Sequence, residues 1–335
     1  EGKHRVLLAE SKARSLVAIE ILIDGAVPAD VARTLAHEGS QAARLVDEAI
    51  VQTRAMVLED DLAAVVRELV PGVCLQRLLR FASGRGVRLP DEAAWYALER
   101  VLAALAHAHA QKDAEGRPLP VVHGAVGASS VVAGWDGAVK LGDFGLSRMR
   151  AAVAPVLAVS EEASLPPLMA PEQARGERAT ERSDVFCAAL LALRLATGRT
   201  PYARFGRSAA QRMLAMSDGD VPPLSKTRPD LPQAVRDAFD RALAPDPASR
   251  AVTAQELRDV VRASFDLARG KEALAKLLER WRPEIERSVT PWERRASIPD
   301  DAPPRKEREG ILALATADER PSAGALVSAD PPSEP

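Results

Sequence analysis

Cysteine is scarce in this chain. Only Cys74 and Cys187 occur in 335 residues, far apart and without a metal-ligand neighbour. A disulfide framework or a zinc site is therefore not expected, and a reduced, cytoplasmic setting is predicted. The remainder has the composition of a globular protein with a real core, because 47% of the residues are hydrophobic and 27% are charged.

An excess of charge and a long apolar run are also lacking. The formal net charge is −2, so neither nucleic acid nor an anionic membrane is an expected partner. The longest apolar run, 185–193, is shorter than the about 20 residues of a membrane-spanning helix, and the N-terminus lacks a signal-peptide pattern. Since the first residue is Glu1 and not Met, we expect a piece of a longer protein.

Hydrophobic periodicity divides the chain into a strand-rich first part and a helical remainder. Residues 5–10 and 15–22 have β-like runs, 30–45 has apolar residues at helical spacing, and 49–51 and 62–66 return to strand character. A small sheet with one helix is therefore predicted first.

Helices are predicted after residue 72. Asp91 is a plausible N-cap for a long helix that reaches about Ala110, and Thr253 with Glu256 forms a capping box before another helix. A larger, mainly helical unit is therefore expected to follow the sheet.

Two short motifs and two single residues follow one another along the chain. The sequence has Asp-Phe-Gly at 143–145, Ala-Pro-Glu at 170–172, and then Asp184 and Arg250. Over roughly residues 1–265 the chain resembles the protein kinase family of the bacterial serine/threonine type. The resemblance implies an α+β bilobal fold, with a small β-rich N-lobe containing one helix and a large, mainly helical C-lobe.

The resemblance also divides the chain. It implies an N-lobe over 1–70, with a truncated glycine-rich loop, and a C-lobe over 71–268. The composition predicts a further helix over 269–283 and a disordered tail over 284–335, where Pro, Ser and charged residues replace the apolar pattern.

The catalytic loop departs from the family. After His123, the positions that hold the family's catalytic Asp, Lys and metal-binding Asn are occupied by Ala125, Gly127 and Ser130. The resemblance therefore implies no catalytic residue at these three positions.

The phosphate-binding part of the small lobe departs as well. Glu20 stands where the family's Val-Ala-Ile-Lys strand has the Lys that holds the α- and β-phosphates, and Glu38 matches the helix Glu that normally pairs with that Lys. Gly2 resembles the end of a glycine-rich loop, but His4 replaces its third glycine.

The hinge resembles that of an ATP-binding kinase. The backbone groups of Glu68 and Val70 would contact an adenine, and Arg67 occupies the gatekeeper position. The resemblance adds three adenine-pocket side chains: Val6, Ala18 and Val132.

Asp143 is the one metal ligand that the resemblance retains. It could hold one magnesium ion, against the plainer interpretation of a hydrogen-bonded acid, while Glu20 and Glu38 would repel the phosphates of ATP. Arg67 is predicted to pair with Glu38 or Glu20 in place of the missing Lys. Such a pocket would bind ATP weakly, without metal, or not at all.

A histidine in the catalytic loop also has two interpretations. His123 is predicted to pack in the core beside Phe144, and a general-base role is the less favoured alternative.

The sequence therefore predicts a pseudokinase. A positioned base contributes about 10² to 10⁴ and one electrostatic stabiliser about 10² to 10³ to the rate, so the combined losses remove about 10⁵ or more. We expect a signalling scaffold or allosteric binding module with a protein partner, either an active kinase or a scaffold. Two alternatives remain: a serine/threonine kinase with weak or unconventional phosphoryl transfer through Asp143, and a structural spacer.

Overall fold

The computed structural model describes residues 5–10, 16–153, 168–205 and 209–287. Gly2 and His4, on which the glycine-rich loop was predicted, lie outside the described residues, as does the predicted tail from residue 288 onward.

A four-stranded antiparallel sheet forms the first part of the structure. Its strands follow the order β1-β2-β4-β3. Their bounds are Arg5–Glu10 (β1), Leu16–Asp24 (β2), Thr53–Glu59 (β3) and Leu62–Glu68 (β4). The long helix α1, Ala29–Ala43, comes between β2 and β3.

The strand period places apolar and charged side chains on opposite faces of β2. Val17, Ile19 and Ile21 belong to one apolar cluster, whereas Leu22 and Ile23 pack with α1 in another. The change of face follows a shift in the pairing register between Ile21 and Ile23. Because successive side chains of a strand alternate, this pattern directs the intervening Glu20 away from the first cluster.

A second, three-stranded antiparallel sheet connects the two parts. It consists of β5 (Gly72–Cys74), β6 (Val131–Gly134) and β7 (Val139–Leu141), in that order. The predicted strand at 49–51 forms only a single bridge, from Ile50 to Leu141. That short apolar run is buried as a connection instead of forming a strand.

Helices form most of the regular structure outside the two sheets. The first six after the small sheet are Leu75–Gly84 (α2), Asp91–His109 (α3), Leu146–Val153 (α4), Pro171–Ala174 (α5), Glu181–Thr197 (α6) and Ala209–Asp218 (α7). Four more follow: Leu224–Thr227 (α8), Gln233–Ala242 (α9), Ala254–Ser264 (α10) and Leu267–Arg287 (α11). Helices α3 and α6 are buried along most of their length and form the core of this lobe.

One predicted helix start is correct and the other is wrong. Thr253 accepts a hydrogen bond from the Glu256 backbone N–H at 3.1 Å and returns one from its own N–H to the Glu256 carboxylate at 2.7 Å, which confirms the capping box. Asp91 is not an N-cap, because Pro90 holds that position. The Asp91 carboxylate instead accepts a hydrogen bond from Arg228 at 2.7 Å.

Helix α11 extends beyond the predicted end at Pro283 to Arg287. Proline removes one backbone N–H, but apolar packing on both sides of it holds the helix against the lobe. The buried residues of α11 are Gly270, Leu274, Leu278, Trp281 and Ile285.

A glycine allows α11 to approach α3 closely. A Cβ added at Gly270 would lie 2.4 Å from the carbonyl oxygen of Glu92 and 2.7 Å from Cβ of Tyr96. Any side chain at this position would therefore push the two helices apart.

The architecture is the predicted one: a mixed α+β fold of two lobes, a strand-rich first lobe with one helix and a larger helical lobe. No helix in the described ranges is long and apolar enough to cross a membrane.

Candidate functional site: an arginine-filled cleft

Glu20 is the central acid of the cleft between the lobes. It lies in the middle of β2, opposite Val65 of β4, and only 1% of its surface is exposed. Its carboxylate accepts hydrogen bonds from Arg67 at 2.6 Å and from Arg150 at 2.7 Å. Arg67 therefore pairs with Glu20, one of the two partners expected from the sequence.

Asp143 is held by the same arginine. The second terminal nitrogen of Arg67 is in close contact with a carboxylate oxygen of Asp143. Arg67 thus bridges Glu20 and Asp143, and its guanidinium lies against the carboxylate that the family resemblance assigns to magnesium. This second partner was not predicted.

Glu38 pairs with a different cation from the one considered in the sequence. Nε of Arg148 donates to its carboxylate at 2.7 Å, and the same side chain reaches the carbonyl oxygen of Val122 at 3.1 Å. Arg148 and Arg150 both belong to α4, the short helix that begins just after Asp-Phe-Gly. Helix α4 thereby joins α1 and β2 by ion pairs.

The charges of the cleft balance one another. Lys140 on β7 is in close contact with the Glu68 carboxylate at the hinge. The four acids are Glu20, Glu38, Glu68 and Asp143, and the four cations are Arg67, Lys140, Arg148 and Arg150. Each of these acids has a cation beside it, so this group offers no net positive charge to a triphosphate.

A buried acid holds the backbone of the loop that begins at His123. Asp184 accepts hydrogen bonds from the backbone N–H groups of His123 and Gly124, both at 2.8 Å, and its carboxylate lies 3.0 Å from Nε2 of His109. Asp184 thus fixes the path of the loop.

His123 is a structural residue of this loop. Its ring centroid lies 4.7 Å from that of Phe144, edge to face, which is the packing predicted. Nε2 lies 2.8 Å from the carbonyl oxygen of Gly142 and donates to it, while Nδ1 accepts from the Ala125 N–H at 3.2 Å. Complete burial lowers the pKa of His123, so the neutral ring that suits both bonds is favoured.

The three replaced catalytic positions offer no acid, cation or amide. The Ser130 hydroxyl is buried and bonds within the loop, donating to the carbonyl oxygen of Gly127 at 2.9 Å and accepting from its N–H at 3.2 Å. Ala125 has only a methyl group. None of these three positions therefore supplies a side chain that could act as a base for a substrate hydroxyl.

The residues that the resemblance places around an adenine lie on or next to the described strands. Val70 makes no backbone hydrogen bond within the described part of the chain, so its groups remain available. Ala18 lies opposite Arg67 in the sheet, Val6 opposite Glu20, and Val132 opposite Lys140. The residues placed around an adenine by the sequence thus lie on the strands that border the cleft.

The large lobe contains a second, fully buried ion pair. Arg250 donates to both oxygens of Glu172, at 2.6 and 2.8 Å, and its side chain has no exposed surface. Ser183 adds a hydrogen bond to Glu172 at 2.6 Å. Burial raises the pKa of Glu172, but the bonds from Arg250 and Ser183 outweigh it, so the pKa lies below its ordinary value.

Other metal or thiol chemistry is not indicated. No group of three His, Cys, Asp or Glu side chains that could hold a metal forms among the described residues. Burial raises the pKa of both Cys74 and Cys187, so neither thiol is activated.

Comparison with known proteins identifies the family. A family profile described as protein kinase domain matches residues 5–261. The chain belongs to the protein kinase family.

Its relatives include bacterial serine/threonine kinases. The chain is 30% identical over 257 residues to the serine/threonine-protein kinase PrkC of Bacillus subtilis, covering 76% of this chain and 37% of PrkC. It is 32% identical over 213 residues to PknL of Mycobacterium tuberculosis, covering 64% of this chain and 50% of PknL. The chain thus spans between a third and a half of the length of these relatives.

Solved structures agree with the fold. The kinase domain of Mycobacterium tuberculosis PknI aligns with a TM-score of 0.57 and 24% identity, covering 79% of this chain and 91% of PknI's. At this identity the likeness concerns the bilobal fold.

Proposed function

We propose that this kinase domain is a pseudokinase that acts as a signalling scaffold or an allosteric binding module. The observation that carries the proposal is the position of Arg67, whose guanidinium bridges Glu20 and Asp143 in the cleft. One side chain therefore pairs with the acid at the family's lysine position and lies against the carboxylate that would hold the metal.

The ion pairs oppose metal binding at Asp143. A divalent ion at this carboxylate would have to displace the terminal nitrogen of Arg67 that contacts Asp143, while the other terminal nitrogen holds Arg67 at Glu20. The guanidinium would therefore remain beside the metal, and the repulsion between the two cations would subtract from metal affinity. The residues at the phosphate end thus do not fit a magnesium–triphosphate group.

The catalytic loop supports the same proposal. Phosphoryl transfer needs a base or orienting group, metal ions and cations on the phosphates. Ala125, Gly127 and Ser130 supply none of these, and the Ser130 hydroxyl bonds to Gly127. A loss of about 10⁵ from a typical kinase rate of about 1–100 per second leaves no useful turnover.

The contrast between a kept fold and a lost site suggests a binding role. Glu172, Arg250 and Asp184 retain their buried hydrogen bonds. A stable surface without chemistry suits a module that engages a protein partner, such as an active kinase or a scaffold. A cytoplasmic location remains our prediction from the few cysteines.

A thermal-shift titration tests nucleotide binding. We expect ATP to raise the melting temperature little or not at all, and magnesium or manganese to add nothing. Arg67→Met frees Asp143, so a metal-dependent shift should appear or grow in this variant. The matched control is Arg54→Met, an exposed arginine on β3. A large metal-dependent shift in the unchanged protein that Arg67→Met abolishes would refute the proposed role of Arg67.

The alternative is a kinase with unconventional phosphoryl transfer, which the retained Asp143 keeps open. Incubation with labelled ATP and magnesium or manganese distinguishes the two. We expect no transfer above background. Transfer that disappears in Asp143→Ala would overturn the pseudokinase proposal and establish the alternative.

A binding experiment distinguishes the third candidate, a structural spacer, from the proposed scaffold or binding module. A pull-down with the full chain should recover a protein partner. No partner, together with no nucleotide-dependent change in melting, would favour the spacer.

A further inference from the structure

A second cavity lies in the large lobe and shares no residue with the cleft. Its volume is about 170 Å³, and it lies where the C-terminal ends of α2 and α6 meet the start of α3. Its lining includes three arginines, two hydroxyl residues and one glycine: Arg80, Arg88, Arg194, Ser83, Thr200 and Gly198. We call it the basal pocket. A single water needs about 10–15 Å³, so a larger polar group fits.

Arg194 is the unusual residue of the basal pocket. It lies in the last turn of α6 and is only 8% exposed. Within the described residues, its guanidinium forms no hydrogen bond and no ion pair, although it lines the cavity. Burial lowers the pKa of Arg194, and the neighbouring charge of Arg80 lowers it further.

The fold alone does not compensate this charge. The C-terminal dipole of α6 favours a cation in its last turn by about 0.3–1 kcal/mol. The guanidinium lines the pocket and has no acid beside it among the described residues. A bound anion would supply the hydrogen bonds and the opposite charge that the described protein groups do not.

The groups around Arg194 are suited to an anion. Arg80 is exposed and has no acidic partner among the described residues. Arg88 contacts Asp91, but Asp91 is also bound by Arg228, so this acid is shared between two cations. The pocket therefore has an excess of positive charge.

The walls add shape and hydroxyl groups. Gly198 ends α6 in the left-handed region, with φ of 69°, and a Cβ there would lie 3.2 Å from Cβ of Arg88. The glycine thus keeps this wall close to Arg88. Ser83 and Thr200 supply hydroxyls on the lining, and arginine forks match the paired oxygens of a phosphate.

We propose that the basal pocket binds a phosphate group, carried either by free phosphate or by a phosphorylated side chain of a peptide. Arg194 and Arg80 form the charged floor, and the hydroxyls of Ser83 and Thr200 complete the contacts. This site is independent of the cleft and of the pseudokinase proposal.

Thermal melting with inorganic phosphate is the first test. At equal ionic strength, the full chain should melt at a higher temperature in phosphate than in chloride. Arg194→Met should abolish the increase, and Arg80→Met should weaken phosphate binding about tenfold, as expected for the loss of a charge-assisted hydrogen bond. Arg212→Met, an exposed arginine on α7, is the control and should keep the full increase.

Calorimetric titration with peptides distinguishes the two sources. A phosphoserine peptide and its unphosphorylated counterpart are each titrated into the unchanged protein and into Arg194→Met. Phosphate binding alone identifies the free anion, whereas tighter, phosphorylation-dependent peptide binding identifies a partner segment. Either result supports the site if Arg194→Met removes it.

Two outcomes would overturn the proposal. One is no binding of phosphate or phosphopeptide, and the other is equal binding by the unchanged protein and Arg194→Met. If Arg194→Met does not fold, Arg80→Met decides the question, because Arg80 is exposed and its replacement should not disturb folding.

Discussion

Two ion-pair networks of this molecule differ in how far their residues match the types that the family resemblance implies. In the large lobe, Glu172 and Arg250 have the residue types that the family resemblance implies and form a buried pair. In the cleft, Glu20 replaces a lysine, and Arg67 and Arg150 supply the positive charge. The first network has the residue types that the family resemblance implies, and the second has a carboxylate where the resemblance implies a lysine.

The comparison shows what each network is needed for. A buried charge is costly unless it is paired, and each acid of the two networks has a cation beside it. Only the cleft would also have to receive phosphates and metal in an active kinase, and there Glu20 stands where the family resemblance implies a lysine. Folding and catalysis thus impose separate requirements on the buried charges.

Removal of Arg250 should have the largest effect on stability. Arg250→Met leaves the Glu172 carboxylate buried with only the Ser183 hydroxyl. We expect a loss of about 3–5 kcal/mol in the free energy of unfolding, measured by urea denaturation. Arg212→Met serves as control with little change. A loss below about 1 kcal/mol for Arg250→Met would contradict the assigned role of the pair.

Restoring the family's lysine in the cleft should also be costly. Glu20→Lys places a third cation beside Arg67 and Arg150, with an expected loss of about 3 kcal/mol. In Glu20→Lys/Arg67→Met the new lysine can reach Asp143, so the double variant should be more stable than Glu20→Lys alone. If the losses in the free energy of unfolding from Glu20→Lys and Arg67→Met simply add in urea denaturation, the two residues are not coupled.

Asp184 connects the two regions, and its removal should have an intermediate effect. Asp184→Leu leaves the N–H groups of His123 and Gly124 without an acceptor, at an expected cost of about 2 kcal/mol. Hydrogen exchange should accelerate at these two amides. The amides of α11 are the internal control, and unchanged exchange in the loop would contradict the assignment.

The smallest effect concerns pH. The pKa of buried His123 lies below that of an unfolded histidine, so the unfolded chain takes up more protons as the pH falls below about 6.5. This contribution to stability is complete above that pH and decreases toward the folded pKa, by at most about 1.4 kcal/mol per pH unit. His123→Gln should reduce the slope between about pH 7.5 and 5.5.

The control for this measurement is His37→Gln. His37 is exposed on α1, so the variant should retain the slope of the unchanged protein. An equal decrease in both variants would show that burial of His123 does not cause the pH dependence.

The sequence predicted the lobes and the packing of single residues well. The fold followed from motif order, and the position of His123 beside Phe144 followed from the same order. The pairing of Arg67 with Glu20 could be inferred because an arginine at the gatekeeper position has few acids within reach.

The remaining partners could not be predicted from the sequence. Arg148 and Arg150 reach Glu38 and Glu20 only because α4 forms directly after the Asp-Phe-Gly motif, and the position of that helix depends on tertiary packing. Arg194 lies in an apolar helix with no local sign that its charge is unpaired.

Local patterns failed where tertiary contacts decided the outcome. Asp91 has the residue type of a cap, but Arg228 binds its carboxylate. Pro283 is a typical helix end, yet Trp281 and Ile285 are buried on either side of it. Burial of such large side chains outweighs one lost backbone hydrogen bond.

The close approach of α11 to α3 determines where a recombinant fragment of this domain should end. The family match ends at residue 261, before α11 begins at Leu267. A fragment that ends at residue 261 would lack helix α11, which covers Tyr96, and would expose an apolar groove along α3. Such a truncated protein should precipitate, whereas one carried through Arg287 should stay in solution.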